Sequence, residues 1–268
     1  VSDREAFPSF LKLPLYSDEW LWPVRVYSFG VLIIERRGEL LVERFGKSQK
    51  KVLELLAAII ALGGHNIANH QLGEMLWSDA EGDLPRQSFD MTLRRLRRLI
   101  GKETVLVNSG MVSLNDRYCW LDLWVFEATL DELEKVLKRG GQQAVIVELT
   151  DQLLELYRGT FLRNFDFELV IQKQTQLSDR LSRILDLSID FHERRGESER
   201  ICSLLNKVLE LQPLAEVNYR RLMSYYIRSG QPSLALYVYQ QCWHVLCEGF
   251  NIPLSNEIQI LAKRLRTG

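Results

Sequence analysis

The sequence predicts a mostly α-helical chain with a small β component: a strand platform, three helices and a hairpin, followed by an all-α array of helical repeats. Three observations carry this expectation. Residues 24–117 pass from strand-like runs to helical spacing and back to a glycine-containing hairpin. The stretch from Pro85 to Gly101 is two-faced, apolar on one side and rich in arginine on the other. Residues 191–196 recur 34 positions later, a period typical of stacked helix pairs.

Taken in order, Val1 to Pro23 holds three prolines and five aromatics (Phe7, Phe10, Tyr16, Trp20, Trp22) without periodicity, and reads as an irregular leader or linker packing on its neighbour. Val24, Val26, Phe29, Val31, Ile33 and Ile34 mark short strands. A polar turn at Arg36-Arg37-Gly38-Glu39 leads to a return through Leu40-Leu41-Val42. Lys47 to Leu62 is helical, with Val52, Leu55, Leu56, Ile59 and Ile60 on one face and Gly63-Gly64 as the stop. A shorter helix from about Asn69 to Trp77 buries Leu72, Leu76 and Trp77. Ser78 to Leu84 is an acidic, polar loop. After the arginine helix, Thr104–Val107 and Met111–Leu114 flank a turn at Asn108-Ser109-Gly110. Strands, three helices and a hairpin in this order make a winged helix preceded by a strand platform.

The arginine helix carries the functional expectation. Phe89, Leu93, Leu96 and Ile100 form its apolar stripe, and Gly101 ends it. Gln87, Met91, Arg94, Arg95 and Arg98 lie on the other side, and between Leu84 and Lys102 six basic residues stand against one acid. Such a face suits a DNA groove, because phosphates attract the charge and guanidinium forks match guanine edges. Taken alone, it fits a solvated basic face equally well; the winged-helix context favours DNA. Gln87, Met91, Thr92, Arg94, Arg95, Arg97 and Arg98 are the expected contacts. Arg95 and Arg98 reach deepest, while Arg94 and Arg97 reach phosphates or pack along the flank. Asn108 and Ser109, at the wing tip, either touch the minor groove or backbone or are there because Asn-Ser-Gly turns tightly. Lys47, Lys50 and Lys51 either approach phosphates or form a plain solubilising cluster.

The segments Lys47–Leu62, Ile67–Trp77 and Met91–Gly101 together resemble the OmpR-type winged helix, and more closely the version in bacterial regulators of the antibiotic-regulatory, SARP-like group. Ala68 stands where that group usually has a capping Ser or Thr, which leaves Asn66 or Asn69 for the cap. Gln87 replaces a frequent basic residue. After Tyr118 the pattern reads as all helical. Trp120 to Glu127 is similar to the family's Asp-x-x-x-Phe junction, and Tyr157-Arg158-Gly159-Thr160-Phe161-Leu162 to its Tyr/Trp-x-Gly-x-x-Leu turn. Phe126, Leu130, Leu133 and Leu137 start one helix, Gly140-Gly141 breaks it, and Ala144 to Tyr157 is the next. The repeat pairs Phe191–Gly196 with Tyr225–Gly230, Leu204 with Val238, Leu205 with Tyr239 and Leu211 with Val245. It matches tetratricopeptide-like helix pairs, with helices before Arg180 and a last helix from Ser255 to Arg266 completing the stack. This half resembles the bacterial transcriptional activation domain, Gly249–Leu254 included. The expected domains are a leader at 1–23, a winged helix at 24–117 and helical repeats at 118–268.

The chain has 268 residues, a 46% apolar and 26% charged composition and a net charge of −1, an ordinary globular balance. Bulk charge gives no sign of nucleic acid. From Val24 to Asp116, thirteen Lys/Arg meet eleven Asp/Glu, so DNA binding has to come from a focused patch. Cys119, Cys202, Cys242 and Cys247 are scattered without a CxxC pair, against zinc and fitting a reducing cytosol. His70 and Glu74 stand four apart without a third ligand, so neither metal nor cofactor is expected. No GxSxG, GxxxxGK[ST], HExxH or GxGxxG motif occurs, and no enzyme is expected. No apolar run spans a membrane and residues 1–22 lack a signal-peptide pattern, so the expected site of action is cytoplasmic.

The resemblance implies a transcription regulator that binds double-stranded DNA as a homodimer, reads direct or inverted repeats and recruits RNA polymerase. Because the chain begins with Val rather than Met, a longer chain with an upstream sensor, such as a signal-transduction ATPase, is a further expectation. The rival reading is a protein-interaction adaptor, in which the helical repeats carry the function and the winged helix binds no DNA.

Overall fold

The computed structural model describes residues 22–41, 49–77 and 84–267. The leader through residue 21, Val42, Lys47 and the acidic loop at 78–83 lie outside the described residues. By contacts the chain divides into two units, Val1–Lys135 with Val147–Ser178, and Val136–Ile146 with Asp179–Gly268.

The first unit opens on a four-stranded sheet. β1 (Val24–Tyr27) pairs antiparallel with β2 (Ile33–Arg36), and β2 pairs with β3 (Glu39–Leu40). The turn between β2 and β3 is the expected one: Arg37 and Gly38 both take positive φ, 50° and 85°, as a two-residue hairpin requires. On its other side β1 pairs parallel with β7 (Cys119–Leu121), Val24 opposite Cys119. This corrects the all-helical reading after Tyr118. Three consecutive buried residues carry no alternation, so nothing local marks them as a strand.

Three helices follow the platform. α1 (Lys50–Ala61) buries Val52, Leu55, Leu56, Ile59 and Ile60. α2 (Asn69–Leu76) buries Leu72, but Leu76 and Trp77 are only half-buried. Trp77 is thus a flank residue rather than a core residue, with the Lys51 ammonium 5.7 Å from its ring centroid. Neither Asn66 nor Asn69 caps α2, since Ala68 is the N-cap and no side chain bonds there. α3 (Leu84–Ile100) is the arginine helix. A second sheet runs in the order β4-β6-β5, from β4 (Ile67–Ala68), β5 (Val105–Asn108) and β6 (Met111–Leu114). β5 and β6 are the wing; the two-residue β4 beside them has no signature in the sequence.

α4 (Asp122–Lys138) starts immediately after β7. Its first residue, Asp122, is 2% exposed. It accepts hydrogen bonds from the Ser28 amide (2.8 and 2.7 Å), the Ser28 hydroxyl (2.5 Å) and the Phe29 amide (3.1 Å). The carboxylate therefore ties the end of β1 to the start of α4. Burial pushes its pKa up to about 6, against the pull of those donors. The Tyr157–Phe165 turn, after α5 (Gln143–Leu156), returns to the same place. Leu162 N–H bonds the Ser28 carbonyl at 2.7 Å, and Phe29 forms a bridge with Phe161.

Gly64 shows how tightly these elements close. Its φ is +79°, and a Cβ there would lie 2.9 Å from the Trp124 ring. The Gly64 carbonyl also accepts the Leu114 amide at the root of the wing. Gly64→Ala is expected to cost about 2 kcal/mol from strain and overpacking together, read as a lowered midpoint in thermal unfolding.

The second unit is helical. α6 (Glu168–Glu193) enters it from Asp179 and is followed by α7 (Ser198–Leu211), α8 (Glu216–Arg228) and α9 (Pro232–Trp243). A π-helical turn (His244–Gly249) and α10 (Asn256–Thr267) follow. The 34-residue period is visible in the turns: Gly196 and Gly230 both have positive φ, 72° and 68°. The matched Leu204 and Val238 are both buried. Leu205 is buried, whereas its counterpart Tyr239 is half-buried. The tyrosines divide between packing and surface, Tyr219 being 3% and Tyr237 57% exposed.

Candidate nucleic-acid interface

α3 is held by its apolar stripe. Phe89, Leu93, Leu96 and Ile100 are all buried, which anchors the helix and turns its opposite side outward. Gln87, Met91, Arg94, Arg95 and Arg98 are exposed there, together with Arg86 and Asp90. The helix ends cleanly. Gly101, with φ 108°, bonds back to the Arg97 carbonyl, and the Thr104 hydroxyl donates to the Ile100 carbonyl at 2.9 Å. Arg36 from β2 reaches the Leu99 carbonyl at 3.1 Å. Arg97 and Arg98 in the last turn match the negative end of the helix dipole.

Two expected contacts are placed differently from the rest. Thr92 is 7% exposed, and its hydroxyl donates to the Ser88 carbonyl at 2.7 Å. It lies beside the apolar stripe, so it positions the helix rather than reaching a base. Arg97 is half-buried and bonds the Lys102 carbonyl at 3.4 Å, which places it on the flank. Among the described residues no ion pair engages Arg86, Arg94, Arg95 or Arg98. The second unit differs: Arg221 is held by Asp186, Asp190 and Glu193 at 3.1–3.2 Å.

Arg95 and Arg98 wall a groove of about 500 Å³ together with Leu99 and with Gln49 and Val52 at the start of α1. The first turn of α1 contains no acid, and the Gln49 side chain makes no capping hydrogen bond among the described residues. The positive end of this helix and the two guanidiniums form an electropositive cleft of the kind that takes a phosphate. Sequence reasoning points to the lysines at the start of α1, not to Gln49 and Val52, which carry no charge to mark them. Lys51 is already engaged, with Glu54 at 2.9 Å and with the Leu76 carbonyl at 3.1 Å, and Lys50 faces Glu54 at 3.8 Å.

The wing stands beside this helix through a shared frame. β6 pairs with β4, Ile67 opposite Val112, and the Asn69 amide at the start of α2 donates to the Gly110 carbonyl at 2.9 Å. At its tip Asn108 pairs with Met111, and Ser109 and Gly110 take positive φ, 48° and 78°. Asn108 and Ser109 are exposed. Serine is strained in that conformation, whereas asparagine tolerates it. Ser109→Asn is expected to stabilise the chain by about 0.5 kcal/mol, checked by urea denaturation.

Among the described residues no group of three or more His, Cys, Asp or Glu is placed to hold a metal ion. No helix there is long and apolar enough to cross a membrane.

Comparison with known proteins agrees with this architecture. The family model of the bacterial transcriptional activator domain matches residues 121–266. Regulatory protein AfsR of Streptomyces griseus is 25% identical over 224 residues, 82% of this chain and 22% of AfsR. The chain thus spans about a fifth of that relative's length. The solved structure of Mycobacterium tuberculosis EmbR in complex with a low-affinity phosphopeptide aligns with a TM-score of 0.63. The identity is 18%, and the match covers 91% of this chain and 65% of EmbR, a likeness of fold.

Proposed function

The chain belongs to the bacterial transcriptional activator domain family, and from that premise we propose that this transcriptional regulator binds DNA through α3 and its wing. The observation that carries the reading is the outward face of α3. Among the described residues Arg94, Arg95 and Arg98 are exposed, form no ion pair and are backed by a buried stripe. Such solvent-facing arginines turn toward phosphates without breaking a described ion pair, whereas Arg221 would first have to break three. The face lies in a major groove with Gln87, Met91, Arg94, Arg95 and Arg98 toward the bases and nearby phosphates, and Asn108 and Ser109 at the adjacent backbone or minor groove.

The modules of this reading are a DNA-binding winged helix at 24–117 and helical repeats at 118–268. The second organises a homodimer and contacts RNA polymerase, so that the protein acts as an activator by positioning rather than by chemistry. Hydroxyl-radical footprinting on a selected DNA fragment tests the arrangement. Two protected half-sites separated by one helical turn or a multiple of it, about 10–10.5 base pairs per turn, are expected. A single unrepeated footprint contradicts the dimer, and no footprint on any fragment favours an adaptor acting through its repeats.

A further inference from the structure

The two ends of α3 carry charges opposite to those of the helix dipole. The dipole makes an N-terminal end positive and a C-terminal end negative. The residues leading into the N-terminal end include three acids, Asp79, Glu81 and Asp83. The C-terminal end is bound by cations. Arg36 donates to the Leu99 carbonyl at 3.1 Å, and its guanidinium lies 3.9 Å from the position a Cβ on Gly101 would take. Arg97 donates to the Lys102 carbonyl at 3.4 Å. Two guanidiniums thus screen the carbonyls in which the negative end of the dipole resides.

Arg36 ends β2, so its bond to α3 also fixes the β2–β3 turn at this end of the helix. Arg37 follows in that turn, with its amide held by the Pro23 carbonyl at 3.0 Å. Arg37 and Lys102 are exposed, and among the described residues neither forms an ion pair. Five cations, Arg36, Arg37, Arg97, Arg98 and Lys102, stand here against two acids, Glu39 and Glu103. α3 has 17 residues, about 25 Å at ~1.5 Å per residue. A straight rod of that length, in a groove about 12 Å wide that winds round the duplex, brings one end onto the phosphate backbone. Charge selects the C-terminal end.

We propose that Arg37, in the β2–β3 turn, and Lys102, just past α3, form a second DNA contact, to the phosphate backbone at one edge of the site. The proposal rests on the reading of α3 as the DNA-binding helix and adds the strand platform to that surface. The contact is to phosphate oxygens, so it contributes affinity and orientation but no sequence preference. Arg36, engaged with the Leu99 carbonyl, is the positioning residue that holds the turn in place.

The test uses the full chain, a DNA fragment selected by the parent, and the variants Arg37→Gln and Lys102→Gln. Both positions are exposed, and glutamine removes the charge while leaving the positive-φ turn residue unbranched. Anisotropy across a salt series is expected to show each variant about five-fold weaker at about 0.15 M salt, with the salt slope lowered by about one. In the double variant the slope is expected to fall by about two, with the selected motif unchanged. Ethylation interference is expected to mark phosphates at one edge of the site in the parent and to lose those marks in the double variant. A double variant with the parent's affinity, slope and interference pattern overturns the proposal. If an Arg94, Arg95 and Arg98 triple alanine variant loses binding in the same assay, the reading of α3 survives that outcome. A parent that binds no fragment overturns both. A changed motif in the double variant also overturns the proposal, because it shows a base contact.

Discussion

Arg95→Ala is expected to weaken binding to a cognate DNA site by about 1–3 kcal/mol, with thermal unfolding unchanged. The fold is indifferent because Arg95 is exposed and the stripe beneath it, Phe89, Leu93, Leu96 and Ile100, is untouched. Arg98→Ala is expected to behave alike, since both side chains wall the groove at the start of α1. The form of the loss identifies the contact. A base contact weakens the cognate site selectively and relaxes preference at one position. A phosphate contact weakens all sequences alike and lowers the salt slope by about one. The positive end of α1 beside Arg95 and Arg98 favours the phosphate pattern there, and leaves Gln87, Met91 and Arg94 for base reading. Arg221→Ala, whose side chain is bound up with three carboxylates, is the internal control and leaves DNA affinity unchanged.

Asp122→Ala is expected to destabilise the sheet-bearing unit by about 3–5 kcal/mol at pH 5 through orphaned buried donors. The Ser28 amide, the Ser28 hydroxyl and the Phe29 amide all lose their acceptor, in a place where water does not replace it. The penalty has a pH dependence whose sign follows from the native pKa. Burial raises it from 3.8 to about 6. The folded state therefore holds the proton more tightly than the unfolded chain. This group's contribution is fully present below about pH 4 and is lost as pH rises through about 6. The difference between parent and variant is thus expected to narrow between pH 5 and pH 7.5, by an amount bounded at ~3 kcal/mol. Urea denaturation at the two pH values measures it. A difference that widens with pH would show the carboxylate to be stabilised as the anion.

The contrast between legible and hidden features has a physical pattern. α3 was legible because one face repeats at helical spacing and Gly101 ends it. The wing was legible because Asn108-Ser109-Gly110 is itself a turn code. The repeat was legible because two turns and their glycines recur at a fixed interval. β7 and β4 were hidden, since three and two residues are too few for periodicity and their partners are distant in sequence: β7 pairs with β1, and β4 with β6. Ser28 and Asp122 likewise meet across 94 positions. At the interface, the outward arginines were read from spacing alone. The inward turn of Thr92 and the contribution of Gln49 and Val52 depend on how α1 packs on α3, which no local pattern reports.

Selection of bound fragments from a random or genomic DNA pool, followed by fluorescence anisotropy of the winning fragment across a salt series, tests the central claim most directly. The account predicts a discrete repeated motif, affinity in the range of about 10⁻⁸ M at moderate salt and a steep loss of affinity as salt rises. Uniformly weak binding to every sequence, with no enrichment and a slope unchanged in an Arg94, Arg95 and Arg98 triple alanine variant, would contradict it.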